Sequence, residues 1–551
     1  MEKKFIIPTI SILLIIISNN ALSTNINQDI EKNGIEIKKL KPIYNENITD
    51  YSIRNCDNKK TKIKKLGKST VTYKNMILKS DITINTKKDD IIEININGKK
   101  IYIRCLPDDF PDINFKNYDI NKKKDVFYTF ATANRVDINN WMVENGYYII
   151  ADENGTPVWY MKAAGSAMIL KVFDDKSIYT LGLPPGMTPS YAARSGAAII
   201  KTDFKGNIIK KIFPKDKNYV IDTHGFEKLK NNNYLIMAIK IIKNYDLSSY
   251  TKNLTPYNLG GGGTKQCDVT NTKNATVAMP YIMEINNNGE IKNQIRIDDL
   301  IPPSESQLFA LSDIDYTGKK PNCVVNIYHP VNLSTSEAED NYILTNRFTS
   351  ATYIIDKVNK KVIAKIGGIK NENSFEILDD PYGDRGPIGH HGGFVSGNKL
   401  LLLDNRRIPQ EEVRAVVYEL DYKDKKAKHL FSRKQPERSC EIFENKIICL
   451  TYSMGTALFL NDSSILASWG FRPNSPNMAT HFDDKGNILV DLRNNEKNQT
   501  TYQINYFEKN LVNIKILRNT ASSNKTIPLP FENKLGWSLA LKDNAITGPG
   551  N

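Results

Sequence analysis

The sequence predicts an all-β protein, a six-bladed β-propeller preceded by a small β-sandwich. Three observations predict it. First, an apolar strand followed by a polar turn recurs through residues 126–510, at about the length of a propeller blade plus its loops. The six turns are Asp152-Glu153-Asn154-Gly155, Asp203-Phe204-Lys205-Gly206, Asn286-Asn287-Asn288-Gly289, Asp356-Lys357-Val358-Asn359, Asp421-Tyr422-Lys423-Asp424 and Asp483-Asp484-Lys485-Gly486. Second, residues 24–112 alternate apolar and polar in shorter runs. Third, no long segment carries the 3.6 period that demands a helix, and Tyr (27) outnumbers Phe (20), a balance that favours strand and loop. A row of sandwiches would not explain one repeated turn, and radial repetition protects sheet edges.

In chain order, residues 1–23 read as a cleaved secretion signal. Lys3-Lys4 is a charged start, Phe5 to Ile17 is apolar but short for a membrane span, and Ala21-Leu22-Ser23 offers a small-residue cleavage site. An uncleaved anchor is the alternative. No other stretch is long and apolar enough to span a membrane, so the expected location is outside the cell, or the lumen of a secretory or periplasmic compartment. Residues 24–112 form the expected sandwich, with Ile91-Ile92-Glu93-Ile94-Asn95-Ile96, the tight-turn pair Asn97-Gly98 and a return strand from Lys100 to Arg104. Pro107-Asp108-Asp109-Phe110-Pro111 closes it as a linker.

Within residues 126–510 the strands before the turns are apolar: Tyr147 to Ala151, Ala197 to Lys201, Tyr281 to Ile285, Thr352 to Ile355 and Val416 to Leu420. Tyr502 to Phe507 is a strand able to close the ring, and residues 511–551 are a C-terminal extension. The loop from Asn253 to Thr276 contains four consecutive glycines, Gly260 to Gly263, but no Gly-Lys-Ser/Thr follows. A phosphate-cradling loop is therefore excluded, and a flexible loop is expected.

The formal net charge is +14, yet only Lys59 to Lys68 and Lys122-Lys123-Lys124 are dense basic runs. Scattered lysines describe a solvated surface that attracts anionic substrates, not a nucleic-acid partner. Six cysteines in an exported chain suggest three disulfides. Cys440 and Cys449 face each other across a hairpin centred on Glu444-Asn445; Cys56 and Cys105 share the N-terminal segment; Cys267 and Cys323 pair by elimination. No Cys-x-x-Cys or Cys/His zinc spacing occurs, so a thiolate metal site is not expected. Asn47, Asn253, Asn274 and Asn498 open glycosylation sequons, which an Asn-rich chain also produces by accident.

The chain has only six histidines. Gly389-His390-His391-Gly392-Gly393-Phe394 precedes a turn and the apolar run Lys399 to Leu403. Asp222-Thr223-His224-Gly225-Phe226 echoes it before an Asn-rich turn and the strand from Tyr234, His224 being assigned to the second unit. His329 lies shortly before the fourth turn, with Arg347 following. Propeller blades point their inner strands at a central channel, so polar residues at those strands' ends converge. Several imidazoles and a guanidinium suit a tetrahedral anionic group such as sulfuryl. Arg offers a planar fork to two oxygens, neutral imidazole attacks, and its protonated form donates to a leaving phenolate. His429 and His481 read as hydrogen-bonded structural residues.

These segments resemble the bacterial-type arylsulfotransferase family. The resemblance rests on Asp222 to Met237, on His329 with Asn341 to Arg347 and Ala351 to Asp356, on Ile366-Gly367-Gly368, on Gly389 to Asn405, on Ser468-Trp469-Gly470 and on Tyr102 to Pro111. It implies a six-bladed propeller with an N-terminal β-sandwich that moves sulfuryl from an aryl sulfate to a phenol through a sulfated histidine, without a soluble sulfate-donor cofactor. It implies His391 or His390 as the nucleophile, with Gly-x-His at Gly389 favouring His391. His224 and His329 would bind sulfate oxygens or shuttle the proton, and Arg347 would neutralise transferring charge. Asn332 would hold the donor, and Asp222 would orient His224. Gly392 departs from the usual residue after the nucleophile. The alternatives are a non-catalytic extracellular propeller that binds a ligand or protein partner, and a metal-dependent hydrolase, disfavoured by the few acidic residues near the histidine motifs. The oligomeric state stays open, a homodimer included.

Overall fold

The computed structural model describes residues 34–118, 125–135, 143–144, 146–163, 166–183, 198–248, 255–256, 272–312, 324–405, 412–436, 441–443, 446–448, 454–461, 463–470, 477–494 and 499–527. The expected signal segment, Cys267, Cys323, Cys440, Cys449, Asn253 and Asn498 lie outside them.

Two sheets form the N-terminal unit. One runs Gly34–Ile37, Lys59–Leu66, Ile82–Thr86; the other runs Asp50–Ile53, Lys99–Cys105, Ile91–Ile96, Val71–Tyr73, Met76–Ile77. Their apolar faces share one core that includes Ile35, Tyr51, Ile63, Ile94 and Ile103. Asn97 and Gly98 both take positive φ, 51° and 88°, as a two-residue hairpin requires. Cys56 and Cys105 are bonded with Cα atoms 5.8 Å apart across a separation of 49 residues, worth about 4 kcal/mol by loop-closure entropy.

Six of the other described sheets build a six-bladed β-propeller. Blade 1 joins Ile504–Glu508, as its innermost strand, to Val126–Ala131, Tyr147–Ala151 and Pro157–Ala163. Blades 2 to 6 begin on the inner strands Ser166–Val172, Val220–Lys228, Pro330–Thr335, His391–Ser396 and Thr456–Phe459. The ring is closed by mixing the two ends of the domain in one sheet. The six polar turns all join the third and fourth strands of their blades. Their chemistry is shared: the first Asp or Asn accepts backbone N–H groups ahead of it, as when Asp152 Oδ1 accepts from Asn154 (3.0 Å) and Thr156 (2.8 Å). Because each turn sits on the outer hairpin, a residue that follows it belongs to the next blade. His224 is therefore on the inner strand of blade 3, not in the second unit.

Two further segments pair with the blades. Ile113–Asn117, which lies between the expected sandwich and the expected propeller, adds an edge strand to blade 6. The C-terminal extension contains the short helix Ile514–Thr520 and the strand Thr526–Ile527, which pairs in parallel with the outer strand of blade 1. Arg518 from that helix forms an ion pair with Asp50 of the sandwich at 2.5 Å, and Ser523 N donates to Asp89 at 2.9 Å. The tail thus fastens the sandwich to blade 1. The hairpin expected around Glu444-Asn445 is present as Glu441–Phe443 against Lys446–Ile448. Among the described residues no helix is long and apolar enough to cross a membrane.

Candidate active site

Three neighbouring inner strands break their ladders where the histidines stand. In blade 3, Ile221 pairs with Ala238 and Phe226 with Ile236, so residues 222–225 bulge opposite Met237. In blade 4 the irregularity lies between Pro330 and Asn332, just after His329. In blade 5, His391 pairs with Leu403 and Phe394 with Leu401, leaving Gly392 and Gly393 opposite Leu402. A bulge re-aims the side chain beside it. Gly392 has φ 68°, and a Cβ there would meet Thr456 Oγ1 at 2.8 Å and Thr456 Cα at 3.2 Å. The glycine after the histidine pair is thus demanded by blade 6.

The bulges bring the predicted residues together, and His224, His329, His390, His391, Asp222 and Arg347 are all buried. The rings of His224 and His329 meet edge to face with centroids 5.1 Å apart. His329 also stacks on Phe348 at 4.9 Å, and His224 faces Tyr502 at 5.8 Å. His329 itself has φ 49°. Asn326 Oδ1 holds that turn by accepting the N–H groups of Tyr328 (3.2 Å) and His329 (3.1 Å). The carbonyl of His329 accepts from Arg347 N at 3.1 Å. One turn thereby positions both residues.

Arg347 Nη1 lies 3.2 Å from Nε2 of His391. His390 turns elsewhere: its Nε2 pairs with Thr352 Oγ1 at 2.9 Å. The adjacent histidines occupy different environments because the extended backbone sends successive side chains to opposite faces. Asp222 Oδ1 accepts the backbone N–H of His224 at 2.8 Å and also bonds its Nδ1. Asp222 is thus engaged with His224 itself. Asn332 Nδ2 donates to Gly393 O at 3.1 Å, and Ser334 Oγ to the same carbonyl at 2.7 Å, which stitches blade 4 to blade 5. His429 and His481 are hydrogen-bonded to Ser432 and to Tyr128 and Ser464.

Sequence reasoning missed two contributors. Asn405 Oδ1 meets His391 Nδ1 at 2.7 Å, and the backbone N–H of Met454 points at His391 Nε2 at 3.1 Å. Both sit in non-local contacts that spacing does not announce, although Asn405 ends the quoted Gly389 motif. Asp404, next to Asn405, accepts from Arg414 Nε at 3.1 Å and from Ile388 N at 3.0 Å. Arg414 also donates to Asp380 at 2.8 Å. This buried clamp holds the approach to His390 and His391 against their neighbouring strand.

Burial, and then the Arg347 charge, push His391 well below its ordinary pKa of 6.5. Its imidazole is accordingly neutral through the physiological range. A depressed folded pKa contributes stability that is present above the unfolded value and lost as pH falls through the folded one. Any reaction using the His391 lone pair is expected to hold its rate as pH drops through about 6.5, where an exposed imidazole would be half protonated. A pH–rate profile checks this; a half-maximal rate near that pH contradicts it.

The site lies toward the starts of the inner strands of blades 4 and 5. At the opposite ends is a cavity of about 820 Å³ whose lining includes Thr335, Ser396, Phe394 and Phe459. Among the described residues no three His, Cys, Asp or Glu side chains are grouped to hold a metal ion.

No protein-family model and no curated protein sequence matches the chain. Among solved structures it is similar to a protein of unknown function from Bacteroides caccae, at 9% identity over 69% of this chain and 98% of that one, with a TM-score of 0.36. It is similar to TolB from Acinetobacter baumannii at 12% identity over 69% and 66%, with a TM-score of 0.32. It is also similar to the periplasmic gluconolactonase of Pseudomonas aeruginosa at 10% identity over 69% and 99%, with a TM-score of 0.34. Likeness at these scores carries no argument about activity; the architecture rests on the strands themselves.

Proposed function

We propose that the protein is an arylsulfate sulfotransferase in which His391 carries the sulfuryl group between an aryl sulfate and a phenolic acceptor. The observation that carries this reading is the contact of Arg347 Nη1 with His391 Nε2 at 3.2 Å, inside a cluster that also holds His224 and His329. A neutral imidazole nitrogen beside a guanidinium is a nucleophile placed where an anion is welcome.

In the first half-reaction the Nε2 lone pair forms the N–S bond. The S–O bond to the aryl oxygen breaks, and the phenolate leaves with the electron pair and takes a proton from His224. A carboxylate-backed imidazole is suited to that exchange, and Asp222 supplies the carboxylate. Arg347 and His329 meet the sulfuryl oxygens, whose charge they offset. In the second half-reaction the acceptor oxygen attacks sulfur, its proton passes to His224 and the N–S pair returns to Nε2. Export, through the N-terminal signal, accompanies this reading.

The test is to mix the full chain with 4-nitrophenyl sulfate and no acceptor, then digest and fragment it. The expected result is one equivalent of nitrophenolate released as a burst and one sulfuryl group on the peptide bearing His391. Saturable binding of the aryl sulfate with no burst and no adduct would leave a propeller that binds without turnover.

A further inference from the structure

We infer that Asn405 is a positioning residue that fixes the tautomer of His391 and keeps its sulfated form reactive. This rests on the sulfotransferase reading for its kinetic half only.

The geometry assigns the ring's hydrogens. Asn405 Nδ2 donates to Met454 O at 3.0 Å, so its Oδ1 faces His391 Nδ1 at 2.7 Å. An amide oxygen only accepts, so Nδ1 carries the proton. At the other nitrogen two donors converge, Met454 N at 3.1 Å and Arg347 Nη1 at 3.2 Å. Nε2 must then present its lone pair. Met454 can aim its N–H there because its φ is 70°, and Gly455, with φ 91°, follows. A Cβ on Gly455 would fall 2.4 Å from Ser468 O, so the turn is locked by blade 6. The chain neighbour of Asn405, Asp404, is gripped by Arg414.

The choice of an amide has a chemical consequence. When Nε2 bonds to sulfur, the ring still carries its Nδ1 proton and becomes a cation, and a cationic imidazole leaves readily when an acceptor oxygen attacks sulfur. A carboxylate at the same place would draw that proton and leave a neutral, sluggish sulfoimidazole. The two donors that met the lone pair turn at that stage to the sulfuryl oxygens.

Two measurements decide. In ¹⁵N-histidine-labelled full-length protein without substrate, the His391 signal, assigned by its loss in His391→Gln, is expected to show a protonated Nδ1 and a bare Nε2. The opposite tautomer overturns the inference whatever the protein catalyses, and needs no variant at Asn405 to fold. In kinetics, Asn405→Leu is expected to slow adduct formation about a hundredfold. Asn405→Asp is expected to form the adduct but pass it to phenol at least about tenfold more slowly than the native protein, so that sulfated protein accumulates. Native turnover in both variants overturns the inference. A native protein that forms no adduct at all would remove the sulfotransferase reading and leave the tautomer to the spectrum.

Discussion

Replacing His391 with alanine is expected to abolish sulfuryl transfer from 4-nitrophenyl sulfate to phenol, a fall of at least about three orders of magnitude. The nitrophenolate burst disappears with it, because His391 Nε2 is the imidazole nitrogen that lies 3.2 Å from Arg347 Nη1. His224 is committed to Asp222, and His390 to Thr352. Chain continuity makes His390 the natural control. Its Nε2 pairs with Thr352 Oγ1, so His390→Gln is expected to keep the burst and the adduct on His391. Loss of the adduct only in the His390 variant would move the nucleophile one residue back and break the reading of Nε2 given above. Thermal unfolding of both variants guards against a trivial cause, since each leaves buried partners unsatisfied at about 1–3 kcal/mol apiece.

The contrast between these two histidines shows what sequence does and does not encode. The blades were legible because each is announced by local chemistry: an Asp or Asn whose side chain caps its own turn, as at Asp203, where Oδ1 accepts from Lys205 N at 2.9 Å and Asn207 N at 2.8 Å. Ring closure was legible from Tyr502 to Phe507, an apolar strand left over after the sixth turn. The candidate histidines were legible because they are few and sit at repeated points. The choice between His390 and His391 was not, since it depends on a single extra residue at Gly392, and that bulge is enforced by Thr456 on another blade. Asn405 and Met454 were hidden for the same reason: their roles come from three-dimensional proximity across 14 and 63 residues. The blade of His224 was misassigned because a turn motif marks where a sheet ends, and sequence alone does not say which end.

Arg347 offers the second large effect, and one that separates charge from shape. Its guanidinium is buried, at 2% exposure, and it contributes to holding His391 neutral. Arg347→Met removes the cation from the sulfuryl oxygens and is expected to slow adduct formation by about two to three orders of magnitude. It also removes the largest of the charges that depress the His391 pKa, leaving burial and the neighbouring His224 and His390. The acid limb of the pH–rate profile is therefore expected to move upward, toward the ordinary imidazole range, in the methionine variant. Arg347→Lys keeps a cation without the planar fork, so it should recover part of the rate while leaving the acid limb near its native place. A purely structural arginine predicts something else: both variants would lose stability, and neither would move the limb. A slow methionine variant whose profile is unshifted would mean that Arg347 shapes the cluster without acting on the charge of His391, and the transfer chemistry would then lack its electrostatic partner.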